Sequence, residues 1–168
     1  LFVRERGLKM AEPVEHLSYT LREKYTAEHG EVLISGIQAL VRALYTRADL
    51  DRQCGLNSGG FVSGYRGSPL GGLDKALWSE EQGLNRAGIV FQPGVNEDLA
   101  ATAVWGSQQV GLHQGARVDG VFGLWYGKAP GLDRSCDAIR HANAWCTLAN
   151  GGVVLVVGDD PAAKSSSL

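Results

Sequence analysis

A chain of 168 residues, 44% of them apolar, is long enough for one α/β-sized core and too short for a large multidomain enzyme. Its formal net charge of −2, with Lys and Arg spread along the chain and no basic block, gives no electrostatic reason to expect nucleic acid or an anionic membrane surface as a partner. No run approaches about 18 consecutive apolar residues and the charged start does not read as a signal peptide. Cys54, Cys136 and Cys146, odd in number and without C-x-x-C spacing, read as free thiols of a reducing, cytoplasmic compartment.

Residues 1–30, including "EHLSYTLREKYTAEHG" (15–30), are polar and weakly patterned and are expected to form an arm or partner-contact segment ahead of one domain, 31–168. That domain opens with a strand expected at "EVLIS" (31–35) and a helix over 36–50, where Ile37, Leu40, Val41 and Leu44 share one face of a 3.6-residue period. The alternation then repeats. Strands are expected at 60–65, 88–92, 120–127 and 152–160, with helices at 72–87, from 96 to about 115, and at 131–149. Five strands alternating with helices of ten or more residues predict an α/β fold: a mainly parallel sheet with helices on both faces. The single Met at position 10 and the Ser-rich end at 165–167 add the expectation of a piece of a longer polypeptide, truncated at its C-terminus.

In such a sheet ligands bind beyond the carboxyl ends of the strands. Four loops there hold the unusual Gly, Pro, Ser and charged residues: "YRGSPLGG" (65–72), "QPGVNED" (92–98), "YGKAPGLDRS" (126–135) and "GDDPAAKSSS" (158–167). None is a G-x-x-x-x-G-K-[ST] or G-x-G-x-x-G phosphate loop, so an ordinary dinucleotide site is disfavoured. Cys136, His141 and Cys146 lack zinc-ligand spacing, and Cys146 falls in a helical stripe with Ile139, Ala142 and Ala149 that reads as core. No G-x-S-x-G elbow supports serine-hydrolase chemistry.

Within "GVNEDLAATAV", Asn96 can cap a helix while Glu97 and Asp98 complement its dipole, worth about 0.3–1 kcal/mol per charge. In "YRGSPLGG", Arg66 can pair with a carboxylate and Ser68 can donate a hydrogen bond; the alternative is a Pro-containing turn with a solvated Arg.

Four stretches taken together, "SGYRGSPLGGLD", "FQPGVNEDLAATAVWGSQQ", "WYGKAPGLDRSCDAIRHAN" and "GGVVLVVGDDPAAKSSS", resemble the N-terminal region of the fused indolepyruvate ferredoxin oxidoreductases, over roughly residues 20 to 168. The resemblance implies the pyrimidine-binding domain of the thiamine-diphosphate fold, facing a separate diphosphate-binding domain. It also implies that Glu97 is the cofactor-activating glutamate. A carboxyl sharing its proton with the pyrimidine ring favours the imino tautomer, whose exocyclic nitrogen can take the thiazolium proton; burial in a mainly apolar pocket would favour that state. Asn96, Gly67, Pro69 and Lys128 become candidate cofactor contacts, and Ser68 and Arg66 candidate contacts to a 2-oxo acid. Lys164, Ser165 and Ser166 lie on a fourth loop with no assigned role.

The implied reaction is oxidative decarboxylation of an aryl-pyruvate to an acyl-CoA, with electrons passed to ferredoxin. Magnesium, [4Fe-4S] clusters and the diphosphate-binding domain are expected from the rest of the protein, this chain alone being inactive, and the assembly is expected to be a homo-oligomer. The competing readings are a non-oxidative thiamine-diphosphate decarboxylase or synthase and a non-catalytic α/β ligand-binding module.

Overall fold

The computed structural model describes residues 20–67, 70–112 and 114–158. In chain order the elements are α1 (Glu23–Thr26), α2 (Gly36–Gln53), β1 (Ser58–Gly64), α3 (Gly71–Ser79), α4 (Glu81–Arg86), β2 (Ile89–Phe91), α5 (Glu97–Ser107), a 3₁₀ turn at Val110–Leu112, β3 (Gly120–Lys128), α6 (Ala129–Trp145) and β4 (Gly152–Gly158).

The four strands are all parallel in the order β2-β1-β3-β4. The chain therefore runs outward from β1 to β2, crosses back over β1 through α5 to β3, and continues to β4, which places a topological switch point between the carboxyl ends of β1 and β3. Side chains alternate across each strand. Val62, Leu124 and Tyr126 enter one core with Val41, Leu44, Leu73, Leu77 and Leu84, supplied by α2, α3 and α4. Trp125, Phe61 and Val153 face the other way, against Ala100, Ala101, Val104 and Ala138 of α5 and α6. The sheet thus carries helices on both faces, as the alternating pattern predicts. No described helix is long and apolar enough to cross a membrane.

Three expectations are corrected. Residues 31–35 form no strand: Leu33 is 98% exposed, and Ser35 instead opens α2 through a capping box in which Gln38 N donates to Ser35 Oγ (3.3 Å) and Ser35 N donates to Gln38 Oε1 (2.9 Å). A short apolar run before a helix carries the same pattern whether paired or not, and here the cap residue decided the local structure. The helix expected over 72–87 is broken at Glu80, whose carboxylate leaves the helix line to accept the Tyr45 hydroxyl (3.2 Å) and pair with Arg22 (3.7 Å). Finally, α6 ends at Trp145, so Cys146 leaves the expected stripe: it adopts a positive φ of 63° and is exposed rather than core.

The described part of the polar N-terminal stretch packs onto α2. Tyr25 is buried in the first core, and the Arg42 guanidinium donates to the carbonyls of Lys24 (2.8 Å) and Ala27 (2.5 Å).

Candidate functional site at the carboxyl edge of the sheet

Three loops meet at the switch point. The loop after β2 continues the ladder beside β1, with Gln92 N donating to Val62 O (3.0 Å) and Gly94 N to Gly64 O (2.9 Å). The loop after β1 leaves along β3, with Tyr65 N donating to Tyr126 O (3.3 Å). β3 passes directly into α6, with Lys128 at its N-cap and Pro130 in its first turn, where a missing N–H costs nothing.

Asn96 caps α5, its side-chain oxygen accepting from Leu99 N at 2.8 Å. That satisfies one orphan donor of the helix end and fixes the direction in which Glu97, the next residue, leaves the backbone. From the other side the buried Trp125 indole donates to the Glu97 carbonyl at 3.0 Å. The side chain then runs between α5 and α6. A Cβ at Gly131 would lie 2.8 Å from Glu97 Oε1, and one at Gly127 would lie 3.5 Å from its Cγ. Gly131 is buried in the first turn of α6, so the carboxyl occupies the space that a side chain there would fill. Glu97 is half-buried, and no described side chain hydrogen-bonds or ion-pairs its carboxyl. Two helix N-termini, those of α5 and α6, present their partial positive charge to it.

Gly67 and Lys128 are also brought to this edge: the position of a Gly67 Cβ lies 4.0 Å from Lys128 Cδ, so the loop after β1 passes over that stem. Lys128 is half-buried and has a partner. Arg66 is exposed and turned to solvent. Ser68 and Pro69, and with them Lys164, Ser165 and Ser166, fall outside the described residues.

Sequence reasoning missed the supports beneath the site. The Tyr126 hydroxyl donates to Asp74 Oδ1 at 2.8 Å, both groups buried, tying the end of β3 to the helix that follows the loop at 65–70. Burial, then the hydrogen bond to Asp74 and its charge, raises the Tyr126 phenol well above its ordinary range. Gln108, fully buried, accepts from Gly152 N at 2.9 Å and joins the end of α5 to β4. The available signal was "LWYG", in which Leu124 and Tyr126 face one core and Trp125 the other, next to a glycine at the strand end.

Among the described residues no group of three or more His, Cys, Asp or Glu could hold a metal ion. His141 stacks on Trp105 with ring centroids 5.9 Å apart, and Cys146 lies at the helix end.

Fold and site together define a doubly wound α/β domain that presents a half-buried acid at its switch point. The chain matches no family model, no curated protein and no solved structure.

Proposed function

We propose that this chain holds the aminopyrimidine end of thiamine diphosphate within a 2-oxoacid:ferredoxin oxidoreductase of the indolepyruvate type. One observation carries the reading: the Glu97 carboxyl sits at the switch point against Gly131 with no described partner. The residues fit the group at that end. A ring needs one acid held in place, and Gly127 and Gly131 make the room in which the Trp125 ring and the Glu97 side chain lie. When bound, the cofactor supplies a nucleophilic carbon able to cleave the bond beside the carbonyl of a 2-oxo acid.

Glu97 hydrogen-bonds a ring nitrogen and shares a proton with it, while Asn96 and Trp125 hold its backbone so that the carboxyl stays aimed. Lys128 and Gly67 border the same edge and stand beside the cofactor, and Arg66 and Ser68 are assigned to the carboxylate and carbonyl of an aryl-pyruvate. Magnesium, the diphosphate and the [4Fe-4S] clusters, with CoA and ferredoxin as co-substrates, belong on this reading to other domains. A reducing, cytoplasmic setting suits such clusters and agrees with the free thiols Cys54, Cys136 and Cys146.

The test is an NMR titration of the chain with thiamine diphosphate, with and without magnesium. Weak binding is expected, with shifts confined to Glu97, Gly131 and the Trp125 indole and lost in Glu97→Gln. Absence of shifts at all three overturns the reading. Shifts produced instead by a nucleotide would favour a ligand-sensing module, and turnover of a 2-oxo acid by the assembled protein without reduction of an electron acceptor would favour a non-oxidative decarboxylase.

A further inference from the structure

Two consecutive residues of β3 hold the two arms of the site from opposite faces of the sheet. Trp125 faces α5 and α6 and bonds the Glu97 carbonyl. Tyr126, fully buried in the other core, bonds the loop that leaves β1 at both of its ends. At the entrance its carbonyl accepts from Tyr65 N (3.3 Å). At the exit its hydroxyl donates to Asp74 Oδ1 (2.8 Å) in the first turn of α3, where Leu73 N (2.9 Å) and Asp74 N (3.4 Å) both return to the Leu70 carbonyl. The loop from 65 to 70 is thereby closed into a ring through one tyrosine.

The entrance bond is backbone to backbone and would survive almost any residue at position 126. The exit bond needs the phenol. A Cβ at Gly64 would lie 2.5 Å from Tyr126 Cγ, so the ring rests on bare backbone where β1 ends, and it reaches a carboxyl that is itself only 6% exposed. Leu70, at the cap of α3, has no side-chain oxygen with which to hold the helix end. A hydrogen bond buried in this way is directional and costly to leave unmade, so it sets where α3, and with it the loop, stands against β3. Arg66 follows Tyr65 on that loop, exposed, beside the Gly67 that crosses the Lys128 stem. On the assignment of Arg66 to the substrate carboxylate made above, we propose that Tyr126 is a positioning residue for the 2-oxo acid, acting through its bond to Asp74 on the loop that carries Arg66. Trp125 and Asn96 then govern the acid that meets the cofactor, while Tyr126 and Asp74 govern the affinity for substrate.

In the assembled enzyme Tyr126→Phe should raise KM for the 2-oxo acid by about tenfold, on the scale of one lost buried hydrogen bond, while kcat and the affinity for thiamine diphosphate stay within about twofold. Asp74→Asn, which keeps an accepting oxygen, should hold KM near the wild-type value, and Asp74→Leu should match Tyr126→Phe. The double variant Tyr126→Phe/Asp74→Leu should be no worse than either single one, since both act through one bond. It also leaves no buried carboxyl without its partner, so it decides the matter if Tyr126→Phe does not fold. Amide hydrogen exchange should quicken at Arg66 and Gly67 in these variants and stay unchanged at Glu97 and Leu99. An unchanged KM in a folded variant overturns the proposal, as does a fall confined to kcat, or effects that add in the double variant. These outcomes beside normal wild-type turnover remove only the role of Tyr126. A wild-type enzyme that turns over no 2-oxo acid overturns the functional reading itself, and the role of Tyr126 with it.

Discussion

The indole nitrogen of Trp125 donates to the main-chain carbonyl of Glu97 across 3.0 Å, linking the centre of β3 to the first residue of α5. Because Trp125 is fully buried, its ring cannot shift without disturbing the core shared by α5 and α6, and the start of α5 inherits that rigidity. Glu97 is thus fixed twice, by this bond and by the Asn96 cap.

Glu97→Gln in the assembled enzyme is expected to keep the fold and remove most turnover, because an amide neither gives nor takes a proton at the ring; the general acid–base contribution lost is on the order of 10²–10⁴-fold. Steady-state rates at saturating cofactor, beside a circular dichroism melt, check this. A near-normal rate would remove Glu97 from the chemistry.

Gly131→Ala is expected to alter the site more than the stability. The added methyl would sit 2.5 Å from Glu97 Cγ and 2.8 Å from its Oε1, so the whole Glu97 side chain must rotate out of the site, while helix propensity favours Ala over Gly by about 0.5–1 kcal/mol. Unfolding free energy should hold or rise while cofactor binding weakens. A loss of several kcal/mol in urea would mean that backbone, not the carboxyl, gives way.

Core truncations should rank by burial. Leu77 has no exposure and packs in the first core, so Leu77→Ala should cost about 2–5 kcal/mol. Leu40, placed on the core face of α2 by its period, is only partly buried and borders a hollow, so Leu40→Ala should cost less, about 1–2 kcal/mol. Equal losses in denaturant melts would contradict the packing.

Alkali should unfold the protein through its buried phenols. Desolvation, then the charge and hydrogen bond of Glu80, pushes the Tyr45 phenol up to about 12. The folded chain therefore keeps a proton that the unfolded chain releases near the ordinary value of about 10, so this contribution is intact below that pH and is lost as pH rises from there through about 12. Tyr45→Phe should flatten the decline in stability over that window. An unchanged slope would place the titration elsewhere.

Much of the fold was legible because a parallel sheet writes itself as apolar runs separated by helical periods, and β1, β2, β3 and β4 fall where those runs lie. The run at 31–35 misled because pairing is a property of neighbours, which a five-residue window does not contain, whereas the Ser35 cap is local and prevailed. The helix break at Glu80 depends on Tyr45, 35 residues away, and no period within 72–87 could carry it. At the site, the Asn96 cap was readable from helix-start chemistry, which by itself reads Glu97 only as a complement to the helix dipole; its candidacy as the site acid rested on the resemblance. The glycines that make room for Glu97 were not readable, since their meaning lies in how closely α6 approaches α5. The same limit hid Trp125, whose partner is a carbonyl 28 residues away.

The strand order has a consequence for how the chain is made. β1 is complete at Gly64, yet its longest partner, β3, begins at Gly120 and pairs along all seven residues of β1. A chain emerging from its N-terminus holds β1 with only the short β2 beside it until Lys128 has been synthesised, and both apolar faces of Val62 and Phe61 wait with it. Non-local pairing of this kind is slow and leaves nascent strands open to wrong partners. The interval between residues 64 and 128 is therefore when this protein most needs shelter.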